Sequence, residues 1–134
     1  MTDFALSTPD QYQEIRDAVG DLCKQFPASY HREVDEKRGY PEAFVTALTK
    51  AGWLAALIPQ EFGGPGLSMA EASVIMEEIN RSGGNSGACH GQMYVMNTIV
   101  FSGSPAQKDR YLPRIASGEL RVQSMGVTLS LIHI

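Results

Sequence analysis

The sequence predicts an all-α fold that gives way to a strand near its C-terminal end. Three observations carry this. Five segments place apolar residues three and four positions apart. Capping residues, prolines and glycines punctuate the chain between them. After Glu119 the spacing changes to period two.

The first helix is signalled by Thr8-Pro9-Asp10-Gln11, a capping residue, a first-turn proline and a glutamine that completes a capping box. Tyr12, Ile15, Val19, Leu22 and Phe26 then form a stripe, ended by Pro27. Residues 28–39 are charged and weakly patterned, and read as a solvated connector. Glu33, Asp35 and Glu36 there are surrounded by Arg32, Lys37 and Arg38, with nothing apolar to desolvate a carboxylate for acid–base work. Pro41 opens a second helix through Phe44, Val45 and Leu48, closed by Gly52. The run Trp53–Pro59 reads as buried, and 61–66 as a dense turn. Ser68 and Glu71 form a capping box for a third helix, with Met69, Ala72, Ile75, Met76 and Ile79 on its inner face. A fourth helix spans about Ser86 to Ser102, with Cys89, Met93, Met96, Ile99 and Val100 inward. Ser104-Pro105-Ala106-Gln107 repeats the capping device before Tyr111, Leu112 and Ile115, and Gly118 stops that helix. Leu120-Arg121-Val122 and Met125–Thr128 alternate like a strand. Helices followed by a lone strand start read as a helical domain entering a β domain.

The chain has 134 residues, 43% hydrophobic and 19% charged, enough for one packed core. Eleven Lys and Arg against fifteen Asp and Glu give net −4, which argues against a nucleic-acid footprint. The charge is uneven. Residues 81–134 carry five bases and two acids, so an anionic ligand is better tolerated there. Cys23 and Cys89 lack the spacing of a zinc site or a disulfide framework, and read as buried free thiols. No apolar run reaches the ~20 residues of a membrane span, and Met1-Thr2-Asp3-Phe4 does not open a secretory signal. The expected location is cytoplasmic.

Gly83-Gly84-x-x-Gly87 resembles a phosphate-cradling loop, but follows a helix and lacks the Lys-Ser/Thr pair. A loop that sets the angle between two helices is the better reading. Cys89 and His90 point about 100° apart on a helix and cannot face one metal. Three scattered histidines make no ligand set, so no metal is expected. His90 reads as a core or pocket-wall residue. Met93, Tyr94 and Met96 read as core, although methionine also lines pockets for apolar ligands. No hydrolase, zincin or dinucleotide-binding motif is present, so no catalytic residue is assigned. Composition and spacing alone yield a helical domain without an activity.

Three segments go further. Ala51-Gly52-Trp53-Leu54 with Ile58–Gly66 resembles a segment of the acyl-CoA dehydrogenase family. Gly103–Glu119, including Gln107-Lys108 and Tyr111-Leu112-Pro113, resembles that family's helix and turn. Gln123–Thr128 resembles the start of its flavin-contacting strand, which normally continues Glu-Pro-x-x-Gly-Ser-Asp. The likeness covers about residues 8–128.

The resemblance implies an N-terminal helical domain over 1–119, the start of a middle β domain over 120–128, and FAD between β domain and helices. It implies α,β-dehydrogenation of an acyl-CoA, with hydride passed to flavin N5, and an electron-transfer flavoprotein or similar acceptor. A homo-oligomer is implied for the full-length enzyme. Met125, Val127 and Thr128 match cofactor-binding positions, with strand core as the plainer role for Met125 and Val127. Ser86, Gly87 and His90 fall near positions that wall the acyl cavity, by spacing alone. The catalytic carboxylate belongs to a C-terminal domain with no counterpart here, so the fragment is expected to be inactive. An acyl-CoA oxidase, a flavin monooxygenase or a cofactor-free helical binding module are the alternatives. The last six residues, Leu129–Ile134, resemble the translation of a transposon-end sequencing adapter and are expected to be non-native.

Overall fold

The structure, a computed structural model, describes residues 11–122. Among them are six α-helices: α1 (Gln13–Cys23), α2 (Ala28–Glu36), α3 (Glu42–Lys50), α4 (Met69–Arg81), α5 (Gly87–Ser102) and α6 (Pro105–Ala116). Single 3₁₀ turns at Trp53–Ala55 and Gln60–Phe62 join α3 to α4. The described residues include no strand, and Leu120–Val122, where the period-two pattern begins, is irregular.

Two capping boxes form as the sequence predicts. Ser68 Oγ accepts from the Glu71 N–H while the Glu71 carboxylate accepts from the Ser68 N–H at 2.7 Å. Ser104 and Gln107 make the same reciprocal pair at the head of α6. The start of α1 differs from expectation. It begins at Gln13 with Tyr12 in the cap position and no side-chain cap; Thr8 and Pro9 lie outside the described residues. The connector over residues 28–39 is also more ordered than expected, because α2 occupies most of it. No side chain of α2 is fully buried, so the solvated character holds while the irregular backbone does not.

The core draws on five helices and the apolar run. Val19 and Cys23 of α1 meet Ala72, Ile75 and Ile79 of α4, and this is the most extensive helix pairing. Phe44, Val45 and Leu48 of α3 lie over Leu54–Ile58, of which Leu54, Ala55, Ala56 and Ile58 are buried. Met96 of α5 and Leu112 and Ile115 of α6 close the other side. Gln92, buried, donates to the Leu54 carbonyl at 3.1 Å and ties α5 to the apolar run.

The α1–α4 seam also holds a charge. The Glu78 side chain is 5% exposed and takes the Arg81 guanidinium at 2.7 Å through Nη2, with Arg16 Nη1 at 3.6 Å from its other oxygen. Arg16 reaches Glu77 at 2.8 Å as well. A carboxylate this buried is tolerable only while its partners stay. Glu78→Gln is expected to cost about 1–3 kcal/mol, below the range for a fully buried pair because Arg81 is largely in water. Urea unfolding checks this as a lower midpoint at constant slope.

Candidate functional site

The α4–α5 seam opens into a cavity of about 340 Å³ beneath Leu57. Met69, Met76 and Met93 line it with flexible thioethers, and His90, Tyr94 and Asn97 bring polar atoms to its α5 wall. Helical geometry explains that wall: positions i, i+4 and i+7 share one face. The His90 and Tyr94 rings lie 6.2 Å apart, tilted by 31°. The Asn97 Oδ1 is buried without a hydrogen-bond partner. Nothing cationic lines the cavity. It suits an apolar chain rather than a phosphate.

Of Ser86, Gly87 and His90, His90 lines this α4–α5 cavity. Ser86 and Gly87 sit one turn earlier and are committed to the α4–α5 turn. Ser86 Oγ donates to Asn80 Oδ1 at 2.9 Å, and the Gly87 N–H donates to Asn85 Oδ1 at 2.9 Å. Ser86 still supports His90, whose N–H donates to the Ser86 carbonyl at 2.8 Å. Met125, Val127 and Thr128, expected at the flavin, lie outside the described residues.

Sequence reasoning missed Tyr94 and Asn97 as site residues, although their spacing from His90 is a readable signal. Met69 was expected on the inner face of α4. It is 53% exposed and sits at the cavity rim. Ala72, Ile75 and Ile79 are in the core and Met76 packs against it, as expected; Val74 and Glu78 are buried as well. α5 is apolar on nearly every side, and leaves Tyr94 49% and Phe101 75% exposed.

The other candidates have structural explanations. The Gly83 and Gly84 N–H groups donate to the Asn80 and Ile79 carbonyls at 3.0 and 3.1 Å. Those amides finish α4 and are not offered to a phosphate. Gly84 is buried against Phe44, as a helix-spacing loop requires. Glu33 pairs with Lys37 in the open, which holds its carboxyl below the ordinary carboxylate value. Both thiols are free and buried. Burial pushes Cys89 up to about 12. Burial also raises Cys23, against a hydrogen bond from Ser82. Both stay protonated and unreactive at neutral pH. Among the described residues no group of three His, Cys, Asp or Glu side chains could hold a metal. No helix among them is long and apolar enough to cross a membrane.

Comparison with known proteins decides the family. The profile described as "Acyl-CoA dehydrogenase, N-terminal domain" matches residues 9–119. This chain belongs to the acyl-CoA dehydrogenase family. The chain is 31% identical over 114 residues to mitochondrial isovaleryl-CoA dehydrogenase of Pongo abelii, covering 82% of this chain and 27% of that protein. It is 30% identical over 121 residues to acyl-CoA dehydrogenase FadE12 of Mycobacterium tuberculosis, covering 90% of this chain and 31% of that one. It thus spans under a third of the curated relatives it matches. A solved chain described as the electron transferring flavoprotein of Acidaminococcus fermentans superposes with a TM-score of 0.71 at 24% identity. That match covers 90% of this chain and 32% of the solved one, and it shows the shared fold.

Proposed function

We propose that this chain is the helical front part of an FAD-dependent acyl-CoA dehydrogenase, and that the α4–α5 cavity receives the acyl chain of the thioester. One observation carries the reading: an apolar cavity in a family N-terminal domain, with His90, expected near the acyl cavity by spacing alone, on its wall. Met69, Met76 and Met93 adapt to the chain and exclude water from it. His90, Tyr94 and Asn97 bound it on the α5 side. Ser86 and Gly87 act at one remove, by setting the first turn of α5. FAD, when bound, accepts the β-hydrogen of the thioester as hydride at N5. The proposed contacts to it, Met125, Val127 and Thr128, lie outside the described residues, and no Lys or Arg lines the α4–α5 cavity.

The same proposal makes the chain as written inactive. The acceptor of the electrons, an electron-transfer flavoprotein or similar protein, a homo-oligomeric assembly and a cytoplasmic location belong to the proposal too. So does the origin of Leu129–Ile134 in adapter sequence.

The test starts with the gene. Reading the DNA beyond codon 128 and expressing the longer product is expected to give a yellow protein that is bleached by an acyl-CoA. In that product Ser73→Phe, on the exposed side of the cavity, is expected to lower kcat/KM for a long-chain acyl-CoA about tenfold, or ~1.4 kcal/mol. A short-chain acyl-CoA should be unaffected. Equal loss for both chain lengths would remove the cavity from the reading. Stoichiometric flavin on the 134-residue chain alone would overturn the claim that it is inactive as written.

A further inference from the structure

The point where the chain leaves α6 is held far more firmly than a solvent connector needs. Gly118 turns at φ +79°, and a Cβ there would stand 2.4 Å from Thr49 Cγ2 on α3. The Leu120 N–H donates to the Arg114 carbonyl at 2.9 Å, and Arg114 Nε to Glu119 at 2.8 Å. Leu120 and Val122 pack against the core. Between them Arg121 reaches across to α3, with Nη1 on Glu42 Oε1 at 2.7 Å and Nη2 on Thr46 Oγ1 at 2.8 Å. Glu42 and Thr46 are one helical turn apart, and Thr46 Oγ1 itself donates to Glu42 Oε1 at 3.3 Å. A guanidinium fork can hold a carboxylate and a hydroxyl at once with a defined plane; an ammonium cannot.

We propose that Arg121 is a positioning residue: by gripping α3 through Glu42 and Thr46 it sets the direction in which the chain leaves the helical domain for the flavin. The inference rests on the proposed flavin role of Met125, Val127 and Thr128. Its logic is mechanical. Two residues separate Val122 from Met125, and the three steps between them span at most about 11 Å. A tether that short cannot absorb an error in its starting direction, and catalytic geometry is sensitive to shifts of about 1 Å. The contact is partly exposed, with Glu42 68% accessible, so it contributes little to global stability. Its effect lies in orientation.

Two measurements test this. In the 134-residue chain, Arg121→Gln is expected to speed amide exchange at Leu120 tenfold or more by NMR, leaving α1 and α4 amides and the melting midpoint unchanged. Arg121→Lys is expected to behave like the Gln variant. Adding Glu42→Gln to Arg121→Gln should change nothing further, since both remove one interaction. Unchanged exchange, rescue by Lys, or equal acceleration throughout the helices would each overturn the clamp. In the longer gene product, Arg121→Gln is expected to retain flavin but shift its visible absorption maximum and lower kcat. An unaltered flavin spectrum with faster Leu120 exchange would overturn the positioning role. If the longer product binds no flavin, the functional reading fails, while the exchange experiment still decides for or against the clamp.

Discussion

Phe44→Ala is expected to lower the unfolding free energy by about 3–5 kcal/mol, a large share of a small domain's stability. Phe44 is fully buried and sits where α2, α3 and the α4–α5 loop meet. Its ring meets Phe26 edge-on at 5.3 Å and His31 at 5.0 Å. On its other side lies Gly84, whose missing Cβ would be 3.1 Å from Phe44 Cζ. Truncation therefore leaves a void whose walls come from three elements, each held elsewhere, and such voids collapse poorly. Loss of the edge-to-face contacts adds about 0.5–1.5 kcal/mol each within that total. Urea unfolding followed by tryptophan fluorescence measures it. A midpoint equal to wild type would show that Phe44 is not the keystone of this corner.

The same cluster has a pH signature. Burial lowers the His31 pKa below its ordinary value near 6.5. The unfolded chain then binds a proton more readily than the folded one, so stability falls as pH drops through about 6.5 toward the folded value. His31→Phe is expected to flatten that part of the profile of melting midpoint against pH. An unchanged slope would assign the effect to other groups.

Much of the fold was legible because its signals are local. Ser68 with Glu71 and Ser104 with Gln107 declare helix starts within four residues, and Gly118 declares a stop. α2 was illegible for a physical reason. It buries none of its side chains fully, so its sequence carries charges where a stripe would be, and its ring contacts run through Tyr30 to Phe26 and through His31 to Phe44. The cavity was half legible. His90, Tyr94 and Asn97 lie on one helical stripe and can be read from α5, but Met69 and Met76 join them only because α4 packs alongside, a tertiary fact with no local trace. Arg121 is the extreme case. Its partners Thr46 and Glu42 lie 75 and 79 positions away, and nothing near it in sequence marks it from any exposed arginine.

Gly64→Ala is the other large effect, about 3 kcal/mol or more, and its cause is collision rather than lost burial. The Ile58–Leu67 loop folds back on its own entry strand of chain. The Gly66 N–H donates to the Ile58 carbonyl at 2.9 Å, and the Gly64 N–H to the Pro59 carbonyl at 3.3 Å. The Leu67 N–H donates to the Ala56 carbonyl at 2.7 Å. This presses Gly64 flat against Ile58. A Cβ at 64 would stand 2.2 Å from the Ile58 oxygen and 2.4 Å from its Cβ. Ile58 cannot retreat, because it is fully buried and its carbonyl is already bonded. Gly63 provides the control. Its φ is +87°, but the nearest atom to an added Cβ is the Ala116 Cβ at 3.8 Å. Gly63→Ala should therefore cost only the left-handed penalty, about 1–2 kcal/mol. Thermal unfolding of the two variants separates the causes. If both lose the same amount, the turn is limited by backbone conformation, and the close approach at Ile58 is relieved by motion of the loop. If Gly64→Ala loses clearly more, the Gly63-Gly64-Pro65-Gly66 segment that first pointed to the family is there to seat the chain under α6, and its glycines serve packing.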